Sequence, residues 1–450
     1  MAELLAAQRV ALTQLIARCP DNVLSTLEAA VADMPGARAE AVRLLFTAEI
    51  RDRYRRDLVF LPLRPLFQPR RDEMEGLVFP VHLMGTLWKA AKSHEPELLA
   101  QLDRDDDLAR LIADRLCFTA AAALRDNGQA IWPTGMPTQR EALACILDVV
   151  GIARTTVHRL PDWQGRIAAD AAAQMKLAFR QAATVGLDGA QRLMEIYFAH
   201  LREGLQILRL ANHASALSTP PTTLVDGPFN DFVERVIDSL VLKTDAVVSF
   251  DMSEGPQGVL AFRDRLQWIT TALGEIDMLV SPRPDSVWAR TLRNQKIRIS
   301  QSLCENFKAA EKKVDALLPQ EKSAMVGRMT RVAPRLVSPL NDAEVEKTRL
   351  LMGILSVSRG PAAILGCETE RRQAVEAITS RISNWADEAL DRLNRGEAAD
   401  NGQLARRRLQ VLVDLLQLAG AKDAARTVRR RLSAAITRKS AASGVSLRQS

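Results

Sequence analysis

Residues 368–395, ETERRQAVEAITSRISNWADEALDRLNR, place Val375, Ile378, Ile382, Trp385, Ala389 and Leu393 at steps of three and four. An α-helix turns once in 3.6 residues, so these side chains share one face, whereas a strand would divide them between two. The charged residues of the stretch fall on the remaining surface. This is an amphipathic helix about seven turns long, and a helix of that kind needs other helices or a sheet to cover its stripe.

No stretch elsewhere shows the strict alternation of a half-buried strand, and the helical period recurs along the chain. Leu5, Leu12 and Ile16 line a first helix that Pro20 ends. Asp21 can cap a second, with Leu24, Leu27 and Val31 on its stripe and Pro35-Gly36 as its stop. A third is expected from Ala37 to Phe60. Further helices are expected near 81–93, 105–126, 138–158, 163–184, 189–211, 229–243 and 257–277. Ser286–Leu318 and 341–358 follow the same rule, and 320–335 is read as a short helix. The fold class expected is therefore all-α, a multi-helix bundle or irregular α-solenoid of antiparallel helical hairpins with no significant β-sheet. No repeat of 34–45 residues recurs.

Two breaks divide the chain: the Pro-rich stretch 61–80 and the Pro- and Thr-rich stretch 218–228. They suggest an N-terminal helical domain (1–217), a central one (229–400), a C-terminal basic αα-hairpin (403–440) and a flexible tail (441–450). In the hairpin Ala405, Leu409, Leu412 and Leu416 form one stripe, Gly420 suits a left-handed helix end, and Asp423 sits in the first turn of the last helix. Ala425, Val428, Leu432 and Ala435 turn inward, which directs Lys422, Arg426, Arg429, Arg430 and Ser433 the other way.

Charge is distributed unevenly. Residues 401–450 hold 11 Lys/Arg and 2 Asp/Glu, while the whole chain is only +7, which leaves residues 1–400 at −2. Just upstream, residues 386–402 carry Asp387, Glu388, Asp391, Glu397 and Asp400 against Arg392 and Arg395, an intramolecular rival for whatever the hairpin binds. Only 12 of the 61 basic residues are Lys. With the abundance of Ala, that bias matches a GC-rich, bacterial type of coding sequence.

The usual catalytic and metal-binding patterns do not appear. The five Cys have no CxxC spacing, and no two of His82, His94, His158, His200 and His213 sit at i, i+3 or i+4. There is no GxSxG, GxxxxGK[ST] or GxGxxG. Asp103 and Asp105–Asp107 lack the one-turn separation that converges carboxylates on a metal, and helix capping is expected of them. The PxxP run Leu61–Arg71 could lie extended in a partner's groove, but packing of Leu63, Leu66 and Phe67 on the body is the expected reading. The Arg residues at 51–56 alternate with acids and read as a salt-bridged face. No cofactor or metal is expected. The chain has neither a secretory leader pattern nor an apolar run of membrane-spanning length, and reads as cytoplasmic.

The function expected is that of a non-enzymatic interaction, scaffold or regulatory protein that binds macromolecules through its helical faces and the basic hairpin. The candidate contacts for an anionic partner are Arg406, Arg407, Lys422, Arg426, Arg429, Arg430, Arg438 and Lys439. A protein partner comes first. Nucleic acid held by its phosphates is the alternative, although residues 401–450 offer no aromatic for base stacking. An anionic membrane surface ranks below both, for the same lack of Trp or Phe. An all-α enzyme without a recognisable motif is the remaining alternative.

Overall fold

The computed structural model describes the chain outside residues 1–4, 104–106, 187, 219, 325–329, 398–401 and 447–450. At 21, 22, 323, 324, 330, 331 and 436–446 it describes the backbone alone. The protein is all-α apart from one two-stranded hairpin. Two compact units divide it, Met1–Val236 and Ile237–Ser450. No helix among the described residues is long and apolar enough to cross a membrane.

The first unit contains α1 (Ala6–Arg18), α2 (Asp21–Ala32), α3 (Ala37–Val59), α4 (His82–His94), α5 (Asp107–Ile131), α6 (Pro137–Asp148), α7 (Val150–Thr156), α8 (Leu160–Trp163), α9 (Ala169–Val185), α10 (Gly189–His200) and α11 (Ile207–Leu217). Ile16, Leu24 and Phe46 are a small core that joins α1, α2 and α3. The larger core centres on α5, which packs against α4 and α6. Its Leu116, Cys117, Ala120, Ala121 and Leu124 are buried, as are Leu143, Ile146 and Leu147 of α6. Each buried Leu or Ile contributes about 1.5–3 kcal/mol of transfer free energy, and the small Ala side chains let the helix axes approach closely.

The boundary between the units falls within α12 (Asn230–Val248). The second unit continues with α13 (Gly255–Leu279), α14 (Val287–Leu317), β1 (Gln320–Ala324), β2 (Thr330–Pro334), α15 (Asp342–Val357), α16 (Pro361–Leu365), α17 (Glu368–Asn394), α18 (Gln403–Leu418) and α19 (Lys422–Ser446). Here α14 packs against α15 and α17, while α18 packs against α15 and α19. The stripe of α17 buries Ile378, Ile382, Trp385 and Ala389, and leaves Val375 and Leu393 half-buried at its margins.

Three expected elements differ. Gln320–Ala324 and Thr330–Pro334 are paired antiparallel strands where a helix over 320–335 is expected, with Gln320 opposite Pro334. Pro319 and Pro334 bound the pair, and α17 pins it: the Trp385 indole N–H donates to the Pro319 carbonyl at 3.0 Å, and Arg392 donates to the Pro334 carbonyl at 2.6 Å while pairing with Glu321 at 2.8 Å. Tertiary partners outweigh the weak helical propensity of so short a segment. The PxxP run packs on the body through Leu63, Leu66 and Phe67, as expected, but as a short helix rather than an irregular break. Leu61–Phe67 is a 3-10 helix with Pro62, Leu63, Leu66 and Phe67 buried, and Phe79 stacks between Phe67 and Trp132.

The third difference lies at 189–211, where a single helix is expected and the chain instead leaves the helix after His200. Arg70 reaches across from the Pro-rich segment, pairs with Asp72, and donates to the Phe198 and Leu201 carbonyls at the end of α10. Asp72 in turn accepts the Gly204 N–H at 2.6 Å. A Cβ on Gly204 would lie 2.5 Å from the Met74 sulfur, so only glycine permits this approach.

Arg70 is one case of a recurring device. Arg154 pairs with Asp114 at 2.8 Å and donates to the Leu58 and Val59 carbonyls at the end of α3. Arg43 pairs with Glu40 and donates to the Ala32 and Met34 carbonyls at the end of α2. Arg53 pairs with Glu49 and donates to Ile16 in α1. The last four carbonyls of a helix have no partner within it, and a planar guanidinium can serve two of them while a carboxylate holds its far side. Several Arg residues thus have structural work that the composition did not disclose.

Two tests follow from this core. Arg154→Met should cost about 2–4 kcal/mol of unfolding free energy, because it removes the guanidinium from the half-buried Leu58 and buried Val59 carbonyls and leaves Asp114 without this ion pair; denaturant titration measures it. His200 is half-buried and donates a ring N–H to the Pro62 carbonyl at 2.7 Å, and desolvation holds its pKa below the usual 6.5. The unfolded chain therefore binds the extra proton first, so this stabilisation is complete above about pH 6.5 and lost as pH falls from there through the lower folded value. Melting temperature measured from pH 8 to 5 should decline less steeply in His200→Asn than in the unaltered chain.

Candidate functional site

The basic hairpin is an ordered part of the second unit. Ala405, Leu409, Leu412 and Leu416 of α18 are buried, and so are Ala425, Val428 and Leu432 of α19. Gly420 takes a left-handed conformation with φ of 82°, and the turn it makes closes α18: Gly420 N–H donates to Gln417 and Ala421 N–H to Leu416. Both stripes read from the sequence therefore face inward, which fixes where the cations go.

Successive α-helical residues are about 100° apart, so Lys422, Arg426, Arg429 and Arg430 lie within roughly a quarter to a third of the circumference of α19, over about 12 Å of its length. All four are exposed. Arg426 makes a loose pair with Asp423 at 3.4 Å, both strongly exposed. Lys422, Arg429 and Arg430 make no ion pair with the described residues. The backbone of α19 includes positions 438 and 439, but the side chains of Arg438 and Lys439 lie outside the described residues.

The α18 candidates behave differently. Arg407 is tied to both carboxylate oxygens of Asp342, at 2.7 and 3.0 Å. Arg406 is half-buried. The structure thus brings four of the eight candidates together on one ridge and uses Arg407 for internal pairing.

Two Arg residues outside the candidate set complete the picture. Arg431 lies about 180° around α19 from Lys422 and pairs with Asp387 and with Asp391, the latter at 2.8 Å. The acidic stretch before the hairpin therefore takes up Arg431 and leaves the ridge alone. The i, i+4 spacing of Asp387 and Asp391 was the available signal. Arg408 is buried, donates one bond to the Pro339 carbonyl at 3.0 Å, and lies 6.0 Å from the centre of the Trp385 ring. Its Nε and Nη1 have no hydrogen-bond partner among the described residues, and burial lowers its pKa. Nothing in the sequence separates it from its neighbours Arg406 and Arg407 except its place on the apolar stripe.

Several other titratable groups have structural surroundings that account for them. Asp103 is held below the usual carboxylate range by a bidentate bond from Arg55, at 2.6 and 2.8 Å. The buried Glu195 carboxylate forms a two-point pair with Arg235 at 2.6 and 2.9 Å. Burial pushes the Cys117 thiol up to about 12. Among the described residues no three His, Cys, Asp or Glu side chains cluster to hold a metal ion. The comparisons with family models, with curated proteins and with solved structures returned no match to this chain.

Arg408 supplies a stability test. A buried guanidinium with one hydrogen bond and no carboxylate pays desolvation with little return, so Arg408→Met should raise stability by on the order of 1–3 kcal/mol. A thermal melt would register this as an upward shift of a few degrees, and a drop would mean that the single bond to Pro339 outweighs the desolvation.

Proposed function

We propose that this protein is a non-enzymatic helical interaction protein, a scaffold or regulator, whose α19 ridge docks an acidic face of a partner protein. The observation that carries the reading is the separation of the hairpin's charges. Arg407 and Arg431 are taken up by Asp342, Asp387 and Asp391, while Lys422, Arg426, Arg429 and Arg430 present four cations to solvent with Asp423 as the one carboxylate paired to any of them among the described residues. Exposed cations on a preformed helix lose little conformational freedom of the backbone on binding, and the field they create steers an acidic partner into register.

A protein partner is favoured over nucleic acid on two grounds. The remainder of the chain, residues 1–400, is net negative, so the body adds no net attraction for a polyanion to that of the short α19 ridge. A ridge of about 12 Å reaches only a few phosphates, which yields weak binding with a shallow salt dependence. Residues 401–450 also contain no aromatic side chain to stack on bases or to enter a lipid interface.

The test uses the full chain and three probes at 50 and 300 mM salt: a poly-glutamate peptide, a 20-base-pair duplex and vesicles containing phosphatidylserine. Retention of poly-glutamate at least tenfold tighter than of the other two is expected at low salt. Replacing Lys422, Arg426, Arg429 and Arg430 together by Gln should abolish it, with the melting temperature unchanged. Arg431→Gln is the control that should leave binding intact. A preference for the duplex that the quadruple variant removes would move the assignment to nucleic acid, and binding that survives the quadruple variant would remove the ridge from function altogether.

A further inference from the structure

A cleft in the first unit lies between α9, α10, α11 and the segment that precedes α12, with a volume of 440 Å³. Its apolar lining includes Phe179, Ala183, Ala214, Leu217 and Phe229. Phe179 and Phe229 stack edge to face at 5.5 Å, and Phe179 also stacks on Tyr197 at 5.9 Å. Tyr197 is itself fixed by a hydrogen bond to Thr156 at 2.7 Å. The aromatic floor is therefore rigid before anything binds, which lowers the entropic cost of binding.

Two cations line the cleft, Lys176 and Arg180, one helical turn apart on α9. No Asp or Glu lines it, and neither cation makes an ion pair with the described residues. Like charges at i, i+4 repel each other, and here no carboxylate relieves them. An anionic group between the two would do so while the attached apolar body covers the aromatic floor.

The size and lining suit a small molecule. Ligand clefts run from about 300 to 1,000 Å³, mostly apolar, with a few polar groups that fix orientation. A partner helix would need a longer groove to seat its successive anchors. We infer that this cleft binds a small amphiphilic carboxylate, its apolar or aromatic body on Phe179 and Phe229 and its carboxylate between Lys176 and Arg180. The inference does not depend on the α19 ridge, and no residue is shared between the two sites.

Calorimetry or ligand-observed NMR on the full chain, with 4-phenylbutyrate and its uncharged amide as probes, tests it. The acid should bind saturably at one site and at least fivefold tighter than the amide. Lys176→Gln combined with Arg180→Gln should erase that preference while leaving the amide's weak binding unchanged. Ala183→Trp, at an exposed position in the lining, should block both probes without disturbing the fold. Equal binding of acid and amide, a preference that persists in the double variant, retention of either probe by Ala183→Trp, or no saturable binding at millimolar probe would each overturn the assignment.

Discussion

The carbonyls that every α-helix leaves unpaired at its C-terminal end are the constraint on which this architecture rests. In a protein built almost wholly of helices these groups are numerous, and burying one without a partner costs of the order of 1–3 kcal/mol. The chain answers with guanidinium groups brought from elsewhere in the fold. Arg43, Arg53, Arg70 and Arg154 each donate to helix carbonyls while a nearby Asp or Glu holds the same side chain. A Lys could not do this, because its ammonium lacks the planar fork that spans two acceptors. The connections follow from these bonds: α10 stops after His200 where Arg70 takes its last carbonyls, and the Pro-rich segment lies against the body because Arg70 and the Pro62 carbonyl are both engaged there.

The same economy explains why the basic hairpin is not uniformly available to a partner. An αα-hairpin with buried stripes on both helices has limited outer surface, and the neighbouring helices present Asp342, Asp387 and Asp391 to part of it. Cations on that side are consumed by pairing. Those on the far side of α19 have only the exposed Asp423 beside them among the described residues and remain a local source of positive potential. Arg408 is the exception, a cation on the apolar stripe itself, where the fold offers it one carbonyl and one indole face.

Much of this was legible in the sequence. The stripes of α17, α18 and α19, the helix stops at Pro20, Pro35-Gly36 and Gly420, and the outward placement of Lys422, Arg426, Arg429 and Arg430 all follow from a 3.6-residue period and the backbone limits of Pro and Gly. The four-residue spacing of Lys176 and Arg180 on α9 was equally visible, but the Phe179–Phe229 floor beside it was not. Those two rings are fifty residues apart, and no periodicity joins them.

The sequence by itself determined the helical class and the outward face of each amphipathic helix, because both depend on neighbours within about one turn of the chain. The tertiary structure alone decided which cations are spent on internal pairs, why 320–324 and 330–334 pair as strands, and where a cleft opens. These depend on which carbonyl, carboxylate or ring another segment delivers. Arg406, Arg407 and Arg408 are consecutive and chemically identical, yet one is half-buried, one is paired with Asp342 and one is interred beside Trp385. The steps of about 100° between them face three different surroundings, and only the folded chain supplies those.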